Sequence, residues 1–182
     1  MTEFSDKELL SIFNDKDRQH YGFNLIVRKY SERLYWHIRK LVISHDDSDD
    51  VLQNTFIKAW NALGDFRQEA QLYTWLYRIA TNEALTLLGS KRRKFFLPLV
   101  DVEHQLANTI DTDSYFSGDE LQKKLQKAIL TLPEKQRVVF NLKYFEEMTY
   151  EDMEEVLGTS VGALKASYHH AVKKIEKYIE EH

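Results

Sequence analysis

The stretch that decides the fold runs from Thr149 to Ile175 and reads TYEDMEEVLGTSVGALKASYHHAVKKI. Thr149 is a predicted N-cap with Asp152 as its capping-box partner, and Gly158 is the residue type that commonly ends a helix. Thr159 or Ser160 then caps a second helix, in which apolar residues recur every three or four positions. Two short helices joined by a glycine-containing turn form a helix-turn-helix, which presents its second helix to the major groove of DNA.

The outer face of that second helix has the side chains that such a role needs. Cations contact phosphates, and small hydrogen-bonding groups contact base edges. The predicted DNA-reading face consists of Lys165, Ser167, His169, His170 and Lys173. A plain helical hairpin with a solvated outer face fits the same spacing, so the spacing alone leaves both interpretations open.

The rest of the chain also predicts helices, because apolar residues recur at helical spacing and period-two alternation is nearly absent. Ser5 and Glu8 form a capping-box pattern at the first helix. One helix is predicted from about Asp49 to Leu63, after a loop from His45 to Ser48. Another is predicted from about Leu72 to Leu88, ending at Gly89. The fold class expected from these patterns is all-α.

Residues 95–120 differ from both flanks. They contain six acidic residues and no Lys or Arg, with a net charge of −6. A structureless stretch of this length is unusual inside one compact domain. We therefore predict two small helical domains, residues 1–94 and 121–182, joined by an acidic flexible linker.

Composition excludes several classes of protein. The 182 residues have a net charge of −4, which excludes a uniformly basic nucleic-acid coat but not a local basic face. Cysteine is absent, so disulfides, thiolate metal sites and cysteine nucleophiles are excluded, and a reducing compartment such as the cytoplasm is expected. No signal peptide or membrane-spanning segment is predicted.

The helix predicted from Leu72 has a second informative face. Trp75, Arg78 and Asn82 fall within about 60° of one another at 100° per residue. A ring for stacking, a guanidinium and an amide are the groups that bind an unpaired base. The basic run from Lys91 to Lys94 follows, where it can hold a nucleic-acid backbone. Trp75 also fits a core position, and a cationic helix end also favours the helix dipole.

An acidic cluster precedes the helix predicted from Asp49. It contains Asp46, Asp47, Asp49 and Asp50, with Gln53 and Asn54 one turn later. A metal site with His45 as a further ligand is one hypothesis, but the spacing matches no metal-binding loop. Acids also stabilise a helix N-terminus without any ligand, which weakens the metal hypothesis further. A surface for a basic partner is favoured, because Asp49, Asp50, Gln53 and Asn54 fall on one exposed flank of the predicted helix.

Three runs together identify a family resemblance: HDDSDDVLQNTFIKAW, FRQEAQLYTWLYRIATNEALTLL followed by KRRK, and LPEKQRVVFNLKYFEEMTYEDMEEVLGTSVGALKASYHHAVKKI. In this order and at these distances they resemble a bacterial RNA polymerase sigma factor of the sigma-70 family, extracytoplasmic-function subfamily. The resemblance covers about residues 23–94 and 121–178.

The resemblance implies partners and residue roles. Core RNA polymerase is expected to bind Asp49, Asp50, Gln53, Asn54 and Phe56 through a coiled coil of its largest subunit. The melted −10 promoter element is expected at Phe66, Trp75, Arg78, Asn82, Lys91, Arg92 and Arg93, and the duplex −35 element at the helix-turn-helix. The acidic linker is expected to pass through a basic channel of the polymerase. Neither a cofactor, a metal nor catalysis is implied. An anti-sigma factor, often membrane-anchored in such systems, is the expected inhibitor.

One difference from the family limits what the resemblance implies about the DNA sequence that this chain prefers. Where relatives often have an arginine-rich reading helix, this chain has Ala166, Ser167, His169 and His170. We therefore expect weaker phosphate attraction and a greater need for polymerase. The alternatives are an autonomous helix-turn-helix regulator, which needs no polymerase-binding face, and a metal-dependent enzyme that uses the acidic cluster.

Overall fold

The computed structural model describes residues 4–66, 71–95, 107–111 and 119–182, and every regular element in these ranges is a helix. The ten helical segments are α1 Asp6–Asn14, α2 Gln19–Val42, α3 His45–Ala62, a 3₁₀ turn Leu63–Asp65, α4 Leu72–Phe95, α5 107–111, α6 Glu120–Leu130, α7 Glu134–Tyr144, α8 Tyr150–Leu157 and α9 Val161–Glu181. The predicted all-α class is confirmed. None of these helices combines the length and apolar character needed to cross a membrane.

Helices α1 to α4 form the N-terminal unit. The predicted capping box begins α1: the Glu8 N–H donates to Ser5 Oγ, and the Ser5 N–H donates to Glu8 Oε2 at 2.7 Å. Helix α2 crosses α1 closely at Gly22, where an added Cβ would lie 2.6 Å from the backbone nitrogen of Phe13. Only glycine permits this approach, which buries Leu9 and Phe13 against α2.

Helix α3 begins earlier than predicted. The expected loop from His45 to Ser48 is wrong, because these residues form the first turn of α3 and Ser44 accepts a hydrogen bond from the Asp47 N–H. Acidic side chains in this turn favour the helix N-terminus. The connection from α2 is only Ile43 and Ser44, and Ile43 adopts φ +64° with its side chain fully buried. Burial holds Ile43 in a conformation that a β-branched residue rarely adopts.

Helix α4 is longer than predicted, because it continues through Gly89 to Phe95. A glycine inside a helix costs about 1 kcal/mol relative to alanine, and the flanking leucines, lysines and arginines are good helix formers. Leu88 is buried beside Gly89 and anchors this turn to the core. The basic run Lys91 to Lys94 therefore lies within the last turns of α4 rather than after it.

Helices α6 to α9 form the C-terminal unit, in which α8 and α9 are the predicted helix-turn-helix. The Asp152 N–H donates to Thr149 Oγ1 at 3.1 Å, and Gly158 ends α8 in the left-handed conformation at φ +63°. Of the two candidates for the next N-cap, Ser160 has the role: its Oγ accepts from the Ala163 N–H.

The two units pack directly against each other. Helix α8 lies on α4 and helix α7 lies on α2, so that one apolar cluster extends from Leu9 in α1 to Leu164 in α9. Within the predicted linker, α5 inserts the fully buried Ile110 between Ile43 and Leu130. The predicted linker residues 96–106 and 112–118 lie outside the described residues.

Candidate protein and nucleic-acid interfaces

The acid and amide side chains of α3 form one exposed surface. Asp49, Asp50, Gln53 and Asn54 are all solvent-exposed, on the side of α3 opposite its buried residues. Phe56 does not belong to this surface. Its ring is only 9% exposed and packs edge-on against Phe23, with ring centroids 6.2 Å apart. Phe56 therefore supports α3 from the core, and its contact with core polymerase stays a prediction.

Ile57 belongs to the α3 surface but was missed by sequence reasoning. At 100° per residue it projects between the directions of Gln53 and Asn54, and it is 53% exposed. A large apolar side chain within a polar ring is the arrangement typical of a binding hot spot. Ile57 could have been recognised from the sequence, because it is an apolar residue that falls outside the row of residues predicted to be buried in α3.

The acidic residues in the first turns of α3 do not converge on one point but contact different side chains of the protein. Asp47 forms an ion pair with Lys91 of α4, while His45 shares a 2.6 Å hydrogen bond with Tyr35 and lies 3.6 Å from Asp49. Among the described residues, no group of three or more histidine or acidic side chains is placed to hold a metal ion. The ion pair also ties Lys91 to the start of α3, so this predicted DNA contact is engaged within the protein.

The predicted base-binding face of α4 combines an aromatic pair with two polar side chains. Trp75 is half-buried, and its ring lies 5.1 Å from the half-buried ring of Phe66. Arg78 and Asn82 follow at one-turn intervals and are exposed. Trp75 thus packs on the core and remains partly exposed to solvent. Residues 67–70, which connect Phe66 to the start of α4, lie outside the described residues.

The basic end of α4 is described only in part. Arg93 is exposed, whereas the side chain of Arg92 lies outside the described residues. The base-binding face points away from the C-terminal unit, because Tyr73 and Tyr77, which meet that unit, project roughly opposite to Trp75. Packing of the two units therefore leaves this face uncovered.

The predicted reading face of α9 is exposed along its length. Lys165, His169, His170 and Lys173 are solvent-exposed, whereas Leu164 and Ile175 are buried on the opposite side. Ser167 is half-buried and set back from the other four. Lys165 Nζ lies 5.6 Å from the centroid of the Tyr150 ring, a cation–π distance that directs this ammonium toward α8.

Comparison with known protein families matches both units. Residues 26–94 match the family described as Sigma-70 region 2, and residues 122–175 match the family described as Sigma-70, region 4. These segments together make up more than half of the chain.

Individual relatives match along nearly their whole length. The RNA polymerase sigma-H factor of Pseudomonas aeruginosa is 31% identical, over 99% of this chain and 96% of the relative. The ECF RNA polymerase sigma-E factor of Haemophilus influenzae is 29% identical, over 98% of this chain and 97% of the relative.

Two solved structures share the fold. CnrH in complex with the cytosolic domain of CnrY matches with a TM-score of 0.68 and 24% identity, over 97% of each chain. The sigma factor RpoE in complex with the anti-sigma factor NepR from Bartonella quintana matches with a TM-score of 0.67 and 21% identity, over 87% of this chain and 96% of that chain. With both regions matched in order, and relatives aligned over nearly all of their length, the chain belongs to the sigma-70 family of RNA polymerase sigma factors, in its extracytoplasmic-function group.

Proposed function

We propose that this chain is a promoter-specificity subunit of RNA polymerase without catalysis of its own, acting in the cytoplasm. In this proposal residues 1–94 bind core polymerase and the −10 element, residues 95–120 connect, and residues 121–182 bind the −35 element. The observation that carries the proposal is the presence of three separate exposed faces, on α3, α4 and α9. An autonomous helix-turn-helix regulator would need only the last of these.

The α3 surface is the proposed contact with core polymerase. Asp49 and Asp50 present negative charge to a basic partner, and the amides of Gln53 and Asn54 add hydrogen-bonding capacity. Ile57 supplies the apolar centre that polar rims usually surround. Charge complementarity mainly gives on-rate and specificity, so most of the affinity is assigned to burial of Ile57.

The α4 face is the proposed site for a base extruded from the −10 element. Unstacking a base costs a few kcal/mol, and stacking on an aromatic ring returns about 1–3 kcal/mol. In this proposal Trp75, whose ring packs on Phe66, stacks on the base, and the exposed Asn82 amide reads its edge. Arg78 and Arg93 are exposed cations on the same helix, suited to the adjoining phosphates.

The α9 face is the proposed reader of the −35 element. The segment 121–182 has no net charge, whereas residues 67–94 carry +4. Because phosphate contacts supply most non-specific DNA affinity, the C-terminal unit is expected to bind DNA weakly unless polymerase brings it to the promoter.

A protein inhibitor is part of the proposal. Both solved structures that share the fold are complexes, one with the anti-sigma factor NepR and one with the cytosolic domain of CnrY. We propose that an anti-sigma factor likewise binds this chain, and membrane anchoring of that partner would link a signal outside the cytoplasm to transcription.

Reconstituted transcription tests the proposed function. Core polymerase, with and without this chain, is given fragments of the source genome, and run-off transcripts are sequenced. The expected result is a set of start sites that depends on the chain and shares spaced −35 and −10 sequences. Absence of both chain-dependent transcripts and co-elution with core polymerase would contradict the proposal. Sequence-specific duplex binding without polymerase would instead favour an autonomous regulator.

A further inference from the structure

Two adjacent histidines lie on the exposed side of α9. His169 and His170 are both solvent-exposed, and their ring centroids lie 6.1 Å apart. Within the described part of the chain, neither imidazole forms a hydrogen bond or an ion pair. Leu164 and Ile175 are buried on the opposite side of the helix. Both histidines are therefore available to a ligand that binds the reading face.

The lysines one turn away from these histidines are partly engaged within the protein. Lys165 Nζ lies 5.6 Å from the centroid of the Tyr150 ring, and Lys174 Nζ donates to Gln136 Oε1 at 3.0 Å. Lys173 is exposed and has no such contact among the described residues. Much of the charge that the centre of this face can present to DNA therefore depends on whether the two imidazoles are protonated.

Carboxylates that could neutralise a protonated imidazole lie elsewhere. Among the described residues, none forms an ion pair with either histidine. On α9 the next acidic residue is Glu176, about 10 Å beyond His169 along the helix axis. The exposed acidic residues of the neighbouring helix α8 are Glu151, Glu154 and Glu155. Protonation of His169 or His170 therefore adds positive charge to the reading face.

The helices packed against α9 present other kinds of titratable group. Helix α6 contacts α9 through apolar residues that include Ala128 and Ile129. Helices α7 and α8 place the phenols of Tyr144 and Tyr150 near Tyr168, whose pKa is raised by burial and by these two phenols. Phenols and ammonium groups ordinarily titrate near pH 10, whereas imidazoles ordinarily titrate near pH 6.5. Histidine is therefore the residue type on this face that changes charge near neutral pH.

The composition of α9 restricts which DNA atoms its face can bind. From Val161 to Ile175 the helix has no Asp, Glu, Asn or Gln. Amides pair with adenine and carboxylates accept from cytosine, whereas cationic donors fit phosphate oxygens and the O6 and N7 atoms of guanine. An imidazolium has two N–H donors and no acceptor. Protonated histidines would thus complete a face made for acceptor atoms of DNA.

We propose that His169 and His170 are specificity-determining residues of the α9 face and bind acceptor atoms of duplex DNA as imidazolium cations, so that −35 recognition takes up protons. This inference rests on the proposed function for the identity of the DNA. A hydrogen bond to a phosphate oxygen or to guanine favours the charged imidazole, so affinity rises as the pH falls. Promoter use by this chain is thereby coupled to the proton concentration around the polymerase.

Binding of the full chain to duplex DNA tests the proton uptake. The probe is a pool of randomised duplexes of about 30 base pairs, measured by fluorescence anisotropy in about 20 mM salt, which preserves weak phosphate contacts. Affinity should rise about tenfold from about pH 8 to about pH 6, because two exposed ion pairs of ordinary strength together give such a factor. The buried His37 stays neutral over this range, since its pKa is lowered to about 4.

Matched variants assign the effect to the two histidines. His169→Gln with His170→Gln should flatten the pH profile, and His169→Arg with His170→Arg should bind at both pH values as tightly as the wild type does at pH 6. His20→Gln with His182→Gln removes two exposed histidines outside the reading face and should keep the wild-type profile. A flat wild-type profile, or an unchanged profile in the first variant, would overturn the proposal.

Two further measurements separate phosphate contacts from guanine contacts. If the imidazolium groups bind phosphates, the slope of log affinity against log salt should steepen at low pH by about 0.9 for each contact. If they bind guanine, replacing it by 7-deazaguanine, which lacks the N7 acceptor, should lower the affinity at low pH and leave it unchanged at high pH. Absence of both changes would overturn the proposal.

Run-off transcription by the reconstituted holoenzyme distinguishes failure of this inference from failure of the proposed function. The ratio of wild-type transcripts to those of His169→Gln with His170→Gln should increase as the pH is lowered, which cancels the pH dependence of the polymerase itself. A ratio that is independent of pH would overturn the inference and leave the proposed function intact. Absence of chain-dependent transcripts at every pH would contradict the proposed function, and the duplex measurements would still decide the inference.

Discussion

His37 Nε2 and Thr81 Oγ1 share a hydrogen bond of 2.8 Å across the contact between α2 and α4. The imidazole is only 1% exposed, and burial lowers its pKa from 6.5 to about 4. The ring also lies against Tyr77, with centroids 4.9 Å apart. A neutral imidazole thus forms part of the packing between α2 and α4.

This burial predicts a pH dependence of folding stability. His37 takes up a proton near pH 6.5 in the unfolded chain but only near pH 4 in the folded one. Between these values the unfolded state binds more protons, so stability falls as the pH falls, by on the order of 1 kcal/mol per pH unit. Urea unfolding of His37→Gln should have a shallower pH slope than the wild type. His169→Gln, at an exposed histidine, should keep the full slope, and equal slopes in all three proteins would remove His37 from this role.

Binding of core polymerase should depend on the polar part of the α3 surface. Replacing Asp49 and Gln53 together by alanine should abolish capture of core polymerase, because both side chains are exposed and face the proposed basic partner. Thermal unfolding should change little, since neither residue is buried. Undiminished pull-down of core polymerase by the double variant would refute this placement of the interface.

Ile57→Asn should weaken polymerase binding about tenfold or more. A truncated hot spot commonly costs 1–2 kcal/mol or more, and about 1.4 kcal/mol corresponds to a factor of ten in the dissociation constant. Leu121→Asn is the matched control, because Leu121 is 63% exposed on α6, away from the α3 surface. Equal affinities of the two variants, measured by fluorescence anisotropy, would show that Ile57 is not an anchor.

Promoter opening should depend on Asn82. Loss of its amide by Asn82→Ala should reduce permanganate reactivity across the start region and alter preference within the −10 element. Core binding should be unaffected, because Asn82 lies on α4 rather than on the α3 surface. Asn24→Ala, which removes another exposed helical amide, should open promoters normally. A wild-type footprint with Asn82→Ala would remove this residue from the mechanism.

The free protein should bind promoter duplexes poorly. The C-terminal unit has no formal net charge, and its reading face offers Lys165 and Lys173 with two histidines and a serine. Gel shifts at physiological salt should show little binding until core polymerase is added. Tight, sequence-specific binding by the chain alone would contradict this expectation.

Local sequence was sufficient for the helical class, the helix-turn-helix and the exposed reading faces. The caps at Ser5, Thr149 and Gly158 involve residues only a few positions apart in sequence, so they can be predicted without knowledge of the tertiary structure. The same local reasoning misplaced the start of α3 and ended α4 at Gly89. At the start of α3 the local Ser44 cap was overlooked. At Gly89 the burial of Leu88 against the core outweighed the short-range signal.

The sequence by itself determined that the chain is helical and which helix faces are polar, because both follow from the spacing of apolar residues along each helix. The tertiary structure alone decided that Glu146 is enclosed by the N-terminal unit. Arg33 and Glu146 are 113 positions apart, and no periodicity relates them. The desolvation of such a carboxylate depends on which surfaces meet, so only the packed chain shows that a charge in one unit is balanced by the other.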